Sequence, residues 1–340
     1  MRQPAALGGG LDLMLQWSDN RTMTSPGQLE VLLSSLEAAG RPSSMSLPRQ
    51  AGLRNFTELA QWLAGAGTGP VGEDRKIAGP AGPVLIRVYR PDPPASSATG
   101  PDVPATLFFH GGGWVFGGLD SHDTLCRELA RQAGVVLVAV DYRLAPEDPY
   151  PAGLDDCFTA TCWVASHARE LGADGSRLAL VGDSSGASLA AAVALRARDQ
   201  GDFAVTFQAL AYPALDPAMN TASYAQNGDD PFLSRSEMES YWSLYLGDTL
   251  PDSLAAPALA PDLAGLPPAY LLVAGRDVLR DEGIAYAERL AAAGVPVQLR
   301  RREEMVHGFL LCTAWLDAAR DGIAELAAVL RAGLGPVGRT

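Results

Sequence analysis

The residues best suited to covalent chemistry lie in the stretch 177–199, where glycines flank a serine in the order Gly182-Asp-Ser184-Ser-Gly186. A short apolar run of strand type precedes this motif, and an alanine- and leucine-rich run with helical spacing follows it. A strand, a tight turn and a helix in this order push a serine hydroxyl out above a sheet. The pattern therefore predicts a nucleophilic Ser184, with the Ser185 amide at a helix N-terminus that favours a developing anion. In a chain with 36 glycines, a turn without chemistry is the alternative.

A serine nucleophile needs a general base, which is usually a histidine. The chain has four histidines, and His110, His122 and His167 all precede Ser184. Where a serine stands on such a turn, the acid and then the histidine follow it along the chain. Only His307 satisfies that order, in a short segment between the last predicted strand and the last helix. We therefore predict His307 as the base.

The acid is expected directly after the strand predicted at 270–273, and Asp277 is the first acidic residue beyond that strand. Asp281 and Glu282 compete with it, but they begin the next predicted helix, where acidic side chains stabilise the positive end of the helix dipole. We therefore favour Asp277. Its role would be to hold His307 in the productive tautomer and to stabilise the imidazolium.

A second glycine-rich motif, HGGGW at 110–114, directly follows the apolar run ATLFF. Successive glycines leave backbone N–H groups free to approach a substrate oxygen closely. A loop after an early strand is also where the second half of an oxyanion hole belongs. A flexible linker is the alternative, but linkers do not usually follow a buried strand. The two glycine motifs, in this order and context, favour acyl chemistry over coincidence.

Strands and helices alternate over most of the chain. The predicted strands are 105–109, 135–140, 177–181, 205–211, 270–273 and 296–300, and the predicted helices lie near 120–133, 154–171, 185–199, 281–293 and 315–332. This alternation predicts an α/β fold with a mostly parallel central sheet and helices on both faces. An antiparallel hairpin is expected earlier, over 76–90, around a Gly-Pro-Ala-Gly turn.

Two stretches outside this alternation are expected to form a helical cap. Apolar stripes predict a helix over Gln28–Ala39 and a second one that begins after an N-cap at Asn55. The insertion that follows Tyr212 is too long for a crossover loop, and it contains a capping box, Ser234 to Glu237, ahead of an aromatic stripe. The predicted organisation is N-terminal cap helices over 1–65, a first core segment over 66–212, inserted cap helices over 213–261 and a second core segment over 262–340.

The composition excludes several classes of function. A formal net charge of −13 offers no basic surface to nucleic acid. The chain has no apolar run of 18 residues that could span a membrane. Its four cysteines lack the spacing of metal ligands or of a redox pair, so we expect no metal and no cofactor. We expect a cytoplasmic protein that acts on a small molecule.

These motifs together resemble the hormone-sensitive-lipase-like carboxylesterases of the α/β-hydrolase fold, which carry an H-G-G-G motif. The matching segments are HGGGW at 110–114, DYRLAPE at 141–147, YPAGLDD at 150–156, GDSSG at 182–186, the acidic run at 277–282 and HGF at 307–309. The resemblance implies Ser184 as nucleophile, Asp277 as acid and His307 as base, with oxyanion-hole amides from Gly112, Gly113 and Ser185. It also implies that His110 braces the HGGG loop. This chain departs from the family at Ser185, where alanine is usual.

The expected function is hydrolysis of short- to medium-chain acyl esters through an acyl-enzyme intermediate, without metal or cofactor. Amide, carbamate or lactone hydrolysis, or acyl transfer, would use the same three residues. A small-molecule binding protein is the remaining alternative, and the complete set of Ser184, Asp277 and His307 argues against it. The resemblance further implies a homodimer formed through the last strand or helix. Asp141, Arg143 and Glu147 are expected to form a buried ion-pair network without a catalytic role.

Overall fold

The computed structural model describes residues 15–18, 27–91 and 103–335, and within them nine strands form one sheet. The strands are β1 (Leu15–Ser18), β2 (Glu73–Gly79), β3 (Gly82–Tyr89), β4 (Pro104–Phe109), β5 (Val136–Asp141), β6 (Asp174–Asp183), β7 (Phe207–Ala211), β8 (Ala269–Arg276) and β9 (Val297–Val306). Their order across the sheet is β1-β9-β8-β7-β6-β4-β5-β3-β2. Neighbours from β1 to β5 are parallel, whereas β3 runs antiparallel to both β5 and β2.

Helices cover both faces of this sheet. They are α1 (Gln28–Ala39), α2 (Arg49–Ala64), α3 (Asp123–Ala133), α4 (Ala152–His167), α5 (Ser185–Gln200), α6 (Ala222–Gln226), α7 (Arg235–Leu246), α8 (Arg280–Ala292) and α9 (Asp317–Gly333). Short 3₁₀ turns lie at Ser44–Ser46, Ala168–Leu171, Pro257–Leu259 and Phe309–Leu311. One apolar core joins the sheet to α4, α5 and α8, and a second joins the opposite face to α3 and α9.

The central strands are apolar because they are buried on both faces. Every residue of β4 and of β7 is buried, as is the second half of β6. A parallel sheet covered on both sides requires such continuous apolar runs. The predicted α/β architecture with a mostly parallel sheet is therefore confirmed, and so is the antiparallel hairpin, formed by β2 and β3.

The strand β1 was not predicted. It pairs in parallel with the beginning of β9, from Leu15 opposite Val297 to Ser18 opposite Arg300. Four residues give too little pattern to identify a strand, and the partner lies at the other end of the chain. This pairing occupies the first part of the β9 edge, which the expected dimer through the last strand would have used.

The second cap helix starts earlier than predicted. Helix α2 begins at Arg49, directly after Pro48, so Asn55 lies inside the helix and is not its N-cap. Instead, the Asn55 amide donates to the Pro42 carbonyl at 3.1 Å and to the Ser44 hydroxyl at 3.1 Å. The guanidinium of Arg49 fixes the start of the helix, because it donates to backbone carbonyls in the segment after β4 and in the one after β5.

The insertion after β7 contains α6 and α7, and the predicted capping box is present. The Ser234 hydroxyl accepts a hydrogen bond from the Glu237 amide, and the Glu237 carboxylate accepts one from the Ser234 amide. Four residues of the predicted stripe on α7 are buried, namely Met238, Tyr241, Trp242 and Tyr245. Among the residues that the structure describes, no helix has the length and apolar character needed to cross a membrane.

The expected single ion-pair network near β5 is not formed. Arg143 binds Asp156, whose side chain is buried, at 2.8 Å. Glu147 instead forms an exposed pair with Arg49 from α2. The prediction was wrong because both partners lie outside the motif that contains Asp141, Arg143 and Glu147. The second pair ties α2 to the core.

Candidate active site

Ser184 lies in the sharp turn between β6 and α5. Its φ of 54° is strained for a residue with a side chain, and its amide donates to the Ala211 carbonyl of β7 at 2.8 Å. Both flanking glycines are needed for close packing. A Cβ at Gly182 would lie 2.2 Å from the Gly186 carbonyl oxygen, and one at Gly186 would lie 2.0 Å from the Phe109 carbonyl oxygen. The two glycines thus allow the turn that presents the Ser184 hydroxyl.

His307 follows β9 and reaches back to this hydroxyl. Its Nε2 lies 2.9 Å from Ser184 Oγ, a hydrogen-bonding distance. Both residues are nearly buried, with exposed fractions of 9% for His307 and 8% for Ser184. The structure therefore brings the predicted base and the predicted nucleophile together, although 123 positions separate them in the chain.

Asp277 completes the arrangement from the end of β8. Its Oδ2 lies 2.8 Å from His307 Nδ1, and its Oδ1 accepts a hydrogen bond from the Leu279 amide at 2.9 Å. The Asp277 carbonyl also accepts a hydrogen bond from the Asn227 amide group, which follows α6. The order of contacts, carboxylate to imidazole to hydroxyl, is that of a serine hydrolase triad.

The competing carboxylates point elsewhere, but they do more than stabilise the start of α8. Asp281 accepts a hydrogen bond from the Ser223 amide of α6 at 2.8 Å. Glu282 is buried and accepts one from the Leu215 amide at 2.6 Å, and burial raises its pKa well above the usual range. Their interpretation as helix-start charges was therefore incomplete, since both tie the insertion to α8.

The electrostatic surroundings of His307 favour a charged imidazole. Burial by itself lowers the pKa of His307, but the charge and hydrogen bond of the Asp277 carboxylate, together with the charges of Asp183 and Asp230, outweigh this effect. The net result is a pKa above the ordinary value of 6.5. An imidazole whose protonated form is stabilised by its surroundings is suited to accept the proton of the Ser184 hydroxyl.

The predicted anion-binding amides border the same space. Gly113 has a φ of 64°, and a Cβ there would lie 2.3 Å from the ring of Tyr241. The Gly112 carbonyl accepts hydrogen bonds from the amides of Val115 and Phe116, which folds the loop into a turn. Within the described residues, the amides of Gly112 and Gly113 have no acceptor. Ser185 is the first residue of α5, where an amide has no partner within the helix.

Two further polar residues, Asp183 and His122, contact this loop, and neither was predicted as a site residue. Asp183 and His122 are both buried and contact each other, with 3.2 Å between His122 Nε2 and Asp183 Oδ1. His110 stacks on Tyr142, and its Nδ1 lies 2.9 Å from the Gly111 carbonyl oxygen, as expected for a residue that braces the loop. Burial and the neighbouring His122 lower the pKa of His110 to about 3, so it stays neutral. The only sequence signals for the pair were an acid inside the serine motif and a histidine soon after the glycines.

A cavity of about 130 Å³ opens directly above Ser184. Eight of its twenty described lining residues are apolar residues of the cap helices α2 and α7 and of the segment directly before α7: Phe56, Leu59, Ala60, Leu63, Phe232, Leu233, Met238 and Tyr241. A wider groove of about 630 Å³ adjoins it and shares Phe56, Leu59, Leu63, Phe232 and Tyr241 with it. The lining of this groove also includes the charged residues Glu37 and Arg41. Within the described part of the chain, no three His, Cys, Asp or Glu side chains cluster as metal ligands would.

The site brings the predicted nucleophile, base and acid into one line of contacts, beside backbone amides that have no acceptor among the described residues. This arrangement can attack an acyl carbonyl, stabilise the resulting oxyanion and return the proton to a leaving group. The apolar cavity would hold the part of the substrate next to the reacting carbonyl.

Comparison with known proteins finds the same fold and related activities. A profile of the α/β-hydrolase fold family matches residues 106–311. Esterase LipI from Mycobacterium tuberculosis is 45% identical over 264 residues, which cover 76% of this chain and 82% of LipI. The ethyl acetate hydrolase of Pseudomonas putida is 36% identical over 310 residues, which cover 87% of this chain and 95% of that enzyme. The crystal structure of a thermostable esterase from Pseudomonas putida superposes with a TM-score of 0.85 at 34% identity, over 93% of this chain and all of that one.

Proposed function

Because the chain belongs to the hormone-sensitive-lipase-like family of the α/β-hydrolase fold, we propose that it is a carboxylesterase that uses Ser184 as its nucleophile. The observation that carries the proposal is the continuous hydrogen-bonded line from Asp277 through His307 to Ser184. The relatives named as esterases support the reaction class, and the geometry supports the assignment of these three residues to it.

In the proposed mechanism, the Ser184 hydroxyl attacks the ester carbonyl while His307 Nε2 takes its proton. The carbonyl oxygen becomes an oxyanion that accepts hydrogen bonds from the amides of Gly112, Gly113 and Ser185. His307 then protonates the leaving alcohol, which leaves an acyl group on Ser184. Water, activated by His307, attacks this acyl-enzyme and releases the carboxylic acid. Asp277 keeps its charge throughout and stabilises the imidazolium.

The direct test is covalent labelling with a fluorophosphonate probe, together with turnover of p-nitrophenyl butyrate. A carboxylesterase reacts stoichiometrically at Ser184, which peptide mass spectrometry would locate, and it loses hydrolysis in parallel. A folded protein that neither reacts with the probe nor turns over an ester would instead be a small-molecule binding protein. A panel that includes amides, carbamates and lactones would show whether the same site also cleaves those bonds.

The pKa of His307 predicts the acid side of the pH profile. Only the neutral imidazole can accept the Ser184 proton, so protonation of His307 removes activity. The value of kcat/KM should therefore fall by about tenfold per pH unit on the acid side. The inflection should lie above 6.5, because the Asp277 carboxylate raises the pKa of the free enzyme's imidazole. Measuring kcat/KM for p-nitrophenyl butyrate against pH would test this, and an inflection well below 6.5 would contradict it.

The dimensions of the cavity support short- to medium-chain esters. A space of about 130 Å³ above Ser184 is small for a ligand pocket, since pockets for drug-sized ligands have volumes of about 300–1,000 Å³. Longer substituents would have to pass the shared side chains into the wider groove. We propose that the cap sets this limit. It was predicted over 1–65 and 213–261, but β1 (Leu15–Ser18) belongs to the central sheet, so the N-terminal cap helices begin at Gln28.

Shortening a side chain between the two spaces should shift the preference for chain length. Leu59 lines both the cavity and the groove, so Leu59→Ala would widen the passage between them. We expect the ratio of kcat/KM for p-nitrophenyl decanoate to that for the butyrate to rise by about tenfold, in the range of a single methylene contact. Leu36→Ala is the matched control, since Leu36 lines only the groove. If the decanoate-to-butyrate ratio were the same in both variants and in the unchanged protein, Leu59 would not set the limit on chain length.

The proposed cytoplasmic location is supported by the cysteines. All four, Cys126, Cys157, Cys162 and Cys312, lie within the described residues and are unpaired. Unpaired buried thiols are usual in a reducing compartment. Fractionation of cells that express the protein would test the location.

The proposed homodimer would have to use surfaces other than the first part of β9. Residues Val297–Arg300 already pair with β1 of the same chain. The second half of β9 and the outer face of α9 are the surfaces that fit the proposal. The molar mass in solution would distinguish a dimer from a monomer.

A further inference from the structure

A carboxylate and an imidazole contact the backbone of the HGGG loop next to the amides of the predicted oxyanion hole, and both line the cavity above Ser184. The mechanism above uses neither. Asp183 immediately precedes Ser184, and its side chain is only 4% exposed. His122, which precedes α3, has a side chain that is 1% exposed. Burial alone would raise the pKa of Asp183, but His122 and the Gly111 amide hold it below the usual value. A charged group kept this far from water requires defined partners.

The first partner of Asp183 is the backbone of the HGGG loop. The Gly111 amide donates a hydrogen bond to Asp183 Oδ1 at 2.8 Å. The approach is so close that a Cβ at Gly111 would lie 2.7 Å from Asp183 Oδ2. Gly111 leads directly into Gly112 and Gly113, whose amides have no acceptor among the described residues. The carboxylate next to the nucleophile in the chain thus holds the loop that faces the nucleophile.

The second partner of Asp183 is His122, which is itself fixed in orientation. Its Nδ1 lies 2.8 Å from the Ser121 hydroxyl, which accepts a hydrogen bond from the Gly118 amide at 3.0 Å and donates its own proton to the Gly118 carbonyl at 2.9 Å. The Nε2 of His122 faces the Asp183 carboxylate, 3.2 Å from Oδ1, and lies 3.3 Å from the Gly111 amide nitrogen. His122 thus stabilises the Asp183 carboxylate, whose negative charge lies close to the place where an oxyanion would form.

From these contacts we propose that Asp183 and His122 are positioning residues, which fix the oxyanion-hole loop relative to Ser184. The inference rests on the proposed ester hydrolysis. Ser184 and Asp183 are consecutive, so one carboxylate joins the nucleophile's turn to the amides that must meet the reacting oxygen. A displacement of about 1 Å in such a site costs about 100-fold in rate. The pair acts on the transition state, because the oxyanion exists only there and in the tetrahedral intermediate.

The test compares Asp183→Ala with Asp183→Asn. Alanine removes the acceptor of the Gly111 amide, and we expect kcat per active site to fall by about 100-fold, with KM changed by less than about threefold. Asparagine keeps the acceptor. Its Nδ2 can donate to His122 Nε2 when the ring proton lies on Nδ1, next to the Ser121 hydroxyl, so we expect kcat within about fivefold of the unchanged enzyme. Active sites are counted by titration with a fluorophosphonate, which separates a slower site from fewer intact ones.

A trifluoromethyl ketone provides the readout that a merely structural role would not change. Its adduct with Ser184 places an oxyanion among the loop amides, so its inhibition constant should rise in Asp183→Ala by the same factor by which kcat falls. Asp156→Ala is the matched control, because it also removes a buried carboxylate with a backbone donor, but one that bonds Arg143 and not the loop. It should lose stability and keep kcat per active site.

A second pair of variants keeps the proposal testable if Asp183→Ala does not fold. His122→Gln retains an N–H group that can reach Asp183, whereas His122→Phe removes it. We expect the phenylalanine variant to lose at least about tenfold more in kcat per active site than the glutamine variant. If Asp183→Ala keeps kcat and ketone affinity within threefold, or if Asp183→Asn falls as far as alanine, the inference is wrong. An unchanged enzyme that neither turns over esters nor reacts with the probe would contradict the proposed function instead.

Discussion

Replacing Ser184 by alanine should lower kcat for ester hydrolysis by about 10⁴- to 10⁶-fold while the protein stays folded. The reason is that His307 Nε2 lies 2.9 Å from the Ser184 hydroxyl, which is therefore the group that would be activated to form the acyl-enzyme, and alanine lacks it. Rate enhancement that remains would come from substrate binding and from the amides of the glycine loop. Kinetics with p-nitrophenyl butyrate and a thermal unfolding curve would test both halves of the prediction.

The matched control for this variant is Ser188→Ala. Ser188 is a buried serine in the first turn of α5, four residues after Ser184, and it makes no contact with His307. It should keep its activity and its reaction with a fluorophosphonate, while Ser184→Ala should lose both. Turnover by Ser184→Ala at the rate of the unchanged enzyme would show that another residue is the nucleophile.

Asp277→Asn should lower kcat by about 10⁴-fold, with a small effect on KM. The Asp277 carboxylate lies 2.8 Å from His307 Nδ1, so it holds the ring with its free nitrogen toward Ser184. An asparagine can instead donate to Nδ1. The proton would then move to Nε2, and the ring could no longer accept the hydroxyl proton. The measurement is kcat with a short p-nitrophenyl ester at a pH above the inflection of the unchanged enzyme.

Asp281→Asn serves as the comparison, because Asp281 binds the Ser223 amide and Arg280, not His307. We expect its kcat to stay within about fivefold, with a loss of stability of about 1 kcal/mol from the weakened hydrogen bonds. A larger loss of kcat in Asp281→Asn than in Asp277→Asn would transfer the role of the acid to Asp281.

The sequence was sufficient to identify the residues that the fold brings together at strand ends. Ser184, Asp277 and His307 each follow a predicted strand, and parallel strands place such ends side by side. Because only one of the four histidines follows Ser184, chain order then left His307 as the one candidate for the base. The glycine loop was found for the same reason, since it directly follows β4.

Features that depend on distant partners could not be read from the sequence. The strand β1 exists through its pairing with β9, and α2 starts where Arg49 reaches the carbonyls of Val115 and Ala145. Local propensity favoured a later start for α2, but these long-range contacts outweigh it. The link from Asp183 to His122 likewise spans 61 positions, and neither residue type shows by itself whether it will be buried.

Helix α6 and the residue after it are attached to the segment 277–281, which contains Asp277. This attachment determines how specificity can be engineered by exchanging caps. Ser223 binds the Val278 carbonyl and Asp281, and Asn227 binds the Asp277 carbonyl. A chimera that replaced the whole insertion from residue 213 would remove the contacts that hold Asp277, the predicted acid. It would also remove the residues of the insertion that line the cavity. Its loss of activity would then be mistaken for a change in specificity. A junction after Asn227 would exchange only α7 and the wall before it, and would leave the acid's support in the host protein.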